Sequence, residues 1–222
     1  MRAFALISCL VASSAFATTY VVNPEESFFG VVTWKDGLAA KLAHNHLIVA
    51  KGVEATLSFD ASKPALAVFE AKIPVEKLVI DAPAAQTKWS PVLEQLGVLA
   101  VLTALTDKEQ KAVRESMLGS DQLNVEKYPF ITAKLSGLEA KETVLGDRGF
   151  SHIGKLEVTI QNQTVSRQAP VAFKKNKDGE IEADSLARFE FSQFGIKPYS
   201  AFLGAVKVKN EFAIYVKVKA KK

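Results

Sequence analysis

The chain has 222 residues, 48% of them hydrophobic and 23% charged, with a formal charge of +4 at pH 7. That size suits one domain with a substantial core, and a single cysteine excludes a disulfide scaffold. Mild basicity without clustered basic and aromatic residues argues against nucleic-acid recognition.

In chain order, residues 1–17 read MRAFALISCLVASSAFA. Arg2 gives a short positive region, Phe4 to Ser14 an apolar run, and Ala15-Phe16-Ala17 a small-x-small cleavage site. This is the layout of a signal peptide, with cleavage expected after Ala17. The run is too short to span a bilayer, which takes about 20 residues. Leu6-Ile7-Ser8-Cys9 resembles a lipoprotein box, but almost no apolar region precedes its cysteine. The expectation is a periplasmic or secreted protein in which 18–222 form one domain, free of cysteine and without a transmembrane segment.

Period-two alternation then dominates. Strands are predicted at Thr19 to Asn23, Phe28 to Trp34, Leu42 to Val49, Glu54 to Phe59 and Leu66 to Ile73. A break follows, about 88–119. There Ser90-Pro91 reads as an N-cap with proline at the first helical position, leading the apolar run Val92 to Leu105. Thr106-Asp107-Lys108-Glu109 has capping-box spacing and should open a second helix through Met117, stopped at Gly119 by a residue tolerant of positive φ. Further strands are predicted at Phe130 to Gly137, Leu156 to Ile160, Val165 to Phe173 and Arg188 to Phe191. The last, from Val206 to Val218, alternates most clearly: Val206, Val208, Phe212, Ile214, Val216 and Val218 share one face, and Lys207, Lys209, Glu211, Lys217 and Lys219 the other. The fold class is mainly β, an antiparallel barrel or sandwich with an inserted helical hairpin.

Four strings in order carry a family likeness. Leu57-Ser58-Phe59-Asp60 ends a strand in "F-D"; Asp121-Gln122-Leu123-Asn124-Val125-Glu126-Lys127-Tyr128-Pro129-Phe130-Ile131 leads an acidic-aromatic turn through "K-Y-P" into a strand. Val158-Thr159-Ile160-Gln161-Asn162-Gln163-Thr164 looks like a strand-hairpin motif, and Phe194-Gly195-Ile196 precedes the alternating tail. Together they resemble the YceI-like family over about Thr19 to Lys219. The resemblance implies an exported, lipocalin-like antiparallel β-barrel that binds or carries a polyisoprenoid, quinone-like or other long amphiphile. Asn162 stands where the family's hairpin has glycine, a change that asparagine tolerates because it also visits the left-handed region. The apolar stretch Val92 to Leu105 is longer than the simplest members need; it reads as a packing helix, a lid or a membrane-touching flap.

Candidate ligand contacts are His44, His46, Leu57, Phe59, Trp89, Tyr128, Phe130, Phe189, Phe191 and Phe212, with His44, His46, Trp89 and Tyr128 assigned to the mouth. Each phenylalanine reads first as filler of a barrel core, with ligand lining as the sharper alternative. In a strand, His44 and His46 would share a face, so a metal-binding protein or metal-dependent enzyme centred on them, with His152 or a carboxylate as third ligand, is the alternative. No G-x-S-x-G, H-E-x-x-H, phosphate-loop or dinucleotide motif is present. The expectation is therefore a non-enzymatic carrier with no cofactor beyond its lipid. Transient membrane contact fits that role, and the oligomeric state is left open, a dimer included.

Overall fold

The computed structural model describes residues 18–60, 62–145 and 148–222; the leader 1–17 lies outside them. Twelve strands form one antiparallel sheet: β1 (Thr18–Val22), β2 (Phe28–Asp36), β3 (His46–Ala50), β4 (Glu54–Phe59), β5 (Val68–Pro74), β6 (Leu78–Ile80), β7 (Phe130–Leu145), β8 (Arg148–Ile160), β9 (Gln163–Lys175), β10 (Ile181–Glu190), β11 (Ser200–Ala201) and β12 (Val206–Lys221). The helices are α1 (Pro83–Lys88), α2 (Ser90–Gln95) and α3 (Asp107–Leu118).

The sheet closes on itself. β12 pairs with β10 along one edge and with β2 and then β1 along the other. β1 and β2 therefore act as one interrupted stave; β3 with β4, and β5 with β6, are interrupted in the same way. The result is an eight-stave up-and-down barrel, which leaves no long free edge. The hairpin between β8 and β9 turns on Gln161 and Asn162, both left-handed at φ 50° and 62°. That is the two-residue turn whose twist suits an antiparallel pair.

Alternation sorts side chains between the two faces as the sequence predicted for β12: Val208, Phe212, Ile214, Val216 and Val218 face the interior. The register slips between Val208 and Phe212, and this bulge bends the strand without exchanging its faces. On the outer wall Phe28, Val32, Leu47, Val49 and Tyr215 are buried beneath Ala85, Val92 and Leu93 of α1 and α2.

Several boundaries differ from the sequence expectation. The strand placed at Leu42 to Val49 begins only at His46, because Ala40–Leu42 form a 3-10 turn. Asn45 causes the change of direction: its Oδ1 accepts from Lys35 N–H at 3.0 Å and its amide donates to the Val101 carbonyl at 2.9 Å. Val92 to Leu105 is not one helix. Gly97 takes φ 66°, ending the turn after α2, and Leu99–Val101 is a short 3-10 turn. Ser90 starts α2 without capping it; its hydroxyl donates to the Thr87 carbonyl. Gly119 does end α3, but at φ −63° rather than in the left-handed region. Phe191 lies beyond β10, in a 3-10 turn over Phe191–Phe194.

Tyr215 sits against Phe28, with the Arg148 guanidinium 4.8 Å from its ring centre. Burial pushes its hydroxyl up from 10.0 to about 12, and the Asp184 charge adds to this. Because the folded value exceeds the unfolded one, the stabilisation is complete below pH 10 and is lost as pH rises towards 12. Melting temperatures recorded across that window should fall in the wild type, and Tyr215→Phe should lack this component.

Candidate functional site

The barrel is hollow. Its interior holds a cavity of about 410 Å³, within the range of small-molecule sites. Lining positions on β12 run from Val208 to Val218. Less the two extra residues of the bulge, eight steps of about 3.3 Å at a strand tilt near 40° make the cavity roughly 20 Å long. Its room comes from small inward residues, Ala50, Ala71, Ala133, Ala183 and Ala187, among Leu, Ile, Val and Phe. The base is closed by aromatics, where Phe59 and Phe173 meet edge to face at 5.0 Å.

At the opposite end α3 lies across the mouth, bringing Ala112, Val113, Ser116 and Met117 to the cavity, followed by Gln122 and Leu123. The helix forms as the sequence predicts: the Thr106 hydroxyl accepts from Glu109 N–H at 3.3 Å, and the Glu109 carboxylate accepts from Thr106 N–H at 2.8 Å. Further ties fix it, since Gln110 donates to the Asp81 carbonyl at 3.0 Å and Arg114 to that of Glu76. Thr106→Ala should cost about 1 kcal/mol and speed amide exchange in α3 ahead of the barrel strands.

The polar pole of the cavity is beside this helix. His46 opens β3, opposite Thr33 of β2. Its Nδ1 lies 2.6 Å from Oδ2 of Asp81, whose side chain has no solvent exposure. Asp81 Oδ1 accepts from Leu47 N–H at 2.8 Å. An ionised carboxylate only accepts, so it holds the proton on Nδ1 and directs the remaining imidazole edge, with Nε2, away from itself. His46 lines the cavity and is the imidazole there. The other polar side chains facing it are Thr33, Ser116, Gln122, Ser185 and Tyr199, while Asp184, opposite the outward Lys217, turns to the outer face. Asp184 is bound by Arg148 at 2.6 Å, and burial nevertheless raises its carboxyl above the usual range. Among the described lining residues there is no lysine or arginine.

The sequence matches the model of the YceI-like domain over residues 20–220. The chain belongs to the YceI-like family. No protein of curated function matches it significantly in sequence. Several solved structures are similar to the chain at low identity. Burkholderia cenocepacia BcnA is 16% identical with a TM-score of 0.61, covering 90% of this chain and 99% of its own. The Campylobacter jejuni YCEI protein is 13% identical with a TM-score of 0.51, covering 79% and 84%. A polyisoprenoid binding domain from Saccharophagus degradans is 8% identical with a TM-score of 0.48, covering 93% and 98%.

In this YceI-like barrel His46, Leu57, Phe59, Phe191 and Phe212 line the cavity. The other candidates lie elsewhere, each for a local reason. His44 precedes β3 and is off its inner face, near Glu109 of α3. Trp89 joins α1 to α2 outside the wall, 5.0 Å from Phe28. Tyr128 precedes β7, with the Lys127 ammonium 5.2 Å from its ring. Phe130 takes the outer parity of β7, because Ile131, Ala133 and Leu135 face inward; Lys72 sits over its ring at 3.9 Å. Phe189 faces inward but is sealed behind Phe194 and Phe212 at 5.8 and 6.0 Å, filling the barrel rather than lining the cavity.

His44, His46 and His152 are not brought together. His46 spends Nδ1 on Asp81, while His152 packs against Phe173, ring centres 4.6 Å apart and tilted by 41°, towards the base. Among the described residues no three His, Cys, Asp or Glu side chains are grouped to hold a metal ion. Sequence reading missed Asp81, Thr33, Tyr199 and the α3 lining. A signal for Asp81 was present: a lone carboxylate directly after the apolar Leu78-Val79-Ile80 and before Ala82-Pro83.

Proposed function

We propose that this protein is an exported, non-enzymatic carrier that holds one long amphiphile in its barrel, a polyisoprenoid alcohol or quinone-like molecule, and moves it through the periplasm. The long apolar cavity carries this reading. The tail would run towards Phe59 and Phe173, each buried methylene contributing about 0.8 kcal/mol. The head would rest at the mouth, hydrogen-bonded to His46 Nε2. Two features favour an uncharged head over a phosphate: the lining offers no cation, and the carboxylate of Asp81 stands behind the imidazole. Lys207 and Lys209, near the start of β12, face outward and are paired with Asp36 and Glu211. The signal-like leader supports export.

Titration with a polyprenol and with its monophosphate, at equal chain length, tests the reading. The alcohol should bind at least about tenfold tighter, because burying an unpaired phosphate charge costs more than one hydrogen bond returns. Saturable binding of neither ligand would reject the carrier function. Preference for the phosphate would reject the head-group assignment alone.

A further inference from the structure

We propose that the rim beside the barrel mouth docks on the surface of an anionic lipid bilayer, so that cargo passes between membrane and cavity through a contact made by four exposed apolar side chains. Two loops meet there, 37–45 between β2 and β3 and 202–205 ahead of β12. Ala39 N–H donates to the Ala205 carbonyl at 2.8 Å, and a Cβ on Gly37 would stand 2.5 Å from that oxygen, so the loops are held side by side. From them Leu38, Leu42, Phe202 and Leu203 project with relative exposures of 103, 73, 78 and 109%.

Single exposed apolar residues are ordinary, but four large ones on two bonded loops form a patch. The backbone adds a second observation. Phe202 and Leu203 hold φ of 50° and 54°, a region that bulky residues rarely adopt. Strain kept where it only displays apolar side chains to solvent points to function rather than packing.

Position and charge identify the surface they meet. Tyr199 and Val208, on either side of the 202–205 segment, both line the cavity, so the patch is continuous with the mouth. Lys35, Lys41 and Lys197 are exposed around it and make no ion pair among the described residues. Apolar prongs flanked by lysines suit the headgroup boundary of an anionic leaflet, where the prongs enter the acyl region and the ammonium groups meet phosphates. The inference rests on the carrier reading only for what is exchanged there; attachment to lipid needs no cargo.

The test compares the wild type with a fourfold variant, Leu38→Ser, Leu42→Ser, Phe202→Asn and Leu203→Asn. Asparagine accepts the left-handed conformation, so the variant should melt at or above the wild-type temperature. The wild type should sediment with vesicles of phosphatidylethanolamine and phosphatidylglycerol, and less with phosphatidylcholine alone or in high salt. The variant should lose vesicle binding at least about tenfold while keeping its affinity for farnesol titrated without vesicles. Three results would overturn the proposal: a wild type that stays in the supernatant, a variant that binds vesicles equally well, or a patch that instead joins two copies in sedimentation velocity. Failure to bind farnesol would reject the carrier reading and leave the vesicle result to be judged separately.

Discussion

Ala133→Trp is expected to lower affinity for a long-chain ligand by about 100-fold or more while leaving the barrel folded. Ala133 faces the cavity from β7, between Ala71 on β5 and Val158 on β8. An indole there occupies the path of the tail and displaces several of its methylenes. At about 0.8 kcal/mol each, the loss of three or four amounts to roughly 3 kcal/mol, two decades in affinity. The added side chain fills empty space rather than packed core, so the melting temperature should hold or rise. Calorimetric titration with a polyprenol, with melting recorded in parallel, separates this from general damage. Unchanged affinity would mean that the ligand lies elsewhere.

Asp81→Ala is expected to destabilise the fold by about 3 kcal/mol, since each orphaned buried donor costs about 1–3 kcal/mol. The substitution strands the Leu47 N–H and the His46 Nδ1–H together. Asp81→Asn should cost less, because its carbonyl oxygen still accepts from Leu47. Its amide would now donate to His46, forcing the proton to Nε2 and altering the group presented to the ligand. Urea denaturation gives the stability difference, and nitrogen chemical shifts of the imidazole give the tautomer. Equal stability of Asp81→Ala and wild type would contradict the buried dyad.

Much of the barrel could be read in the sequence because a half-buried strand must alternate, and β12 does so at both ends, broken only where its bulge falls and where Ala213 and Tyr215 are buried on the outer side. The Thr106 to Glu109 cap and the left-handed Asn162 are equally local signals, and both formed. What failed depends on distance along the chain. Nothing near residues 44–46 reveals that Asn45 turns inward to clamp Val101, or that a carboxylate 35 residues on selects His46 over His44. Phe130 and Ile131 differ by one step of register, which the neighbouring strands decide. Phe189 follows the inward pattern but is sealed by Phe194, whose place depends on the turn after β10. Nor does an inward apolar pattern distinguish a filled barrel from a hollow one. That rests on which small residues fall opposite one another, as Ala71 does opposite Ala133.

Native mass spectrometry of the protein purified from a bacterial periplasm, followed by solvent extraction, tests the central claim most directly. The account predicts one uncharged isoprenoid-like molecule per chain, released on extraction and absent from Ala133→Trp. A bare chain that also fails to take up added polyprenol, or a stoichiometric ligand retained by Ala133→Trp, would contradict it.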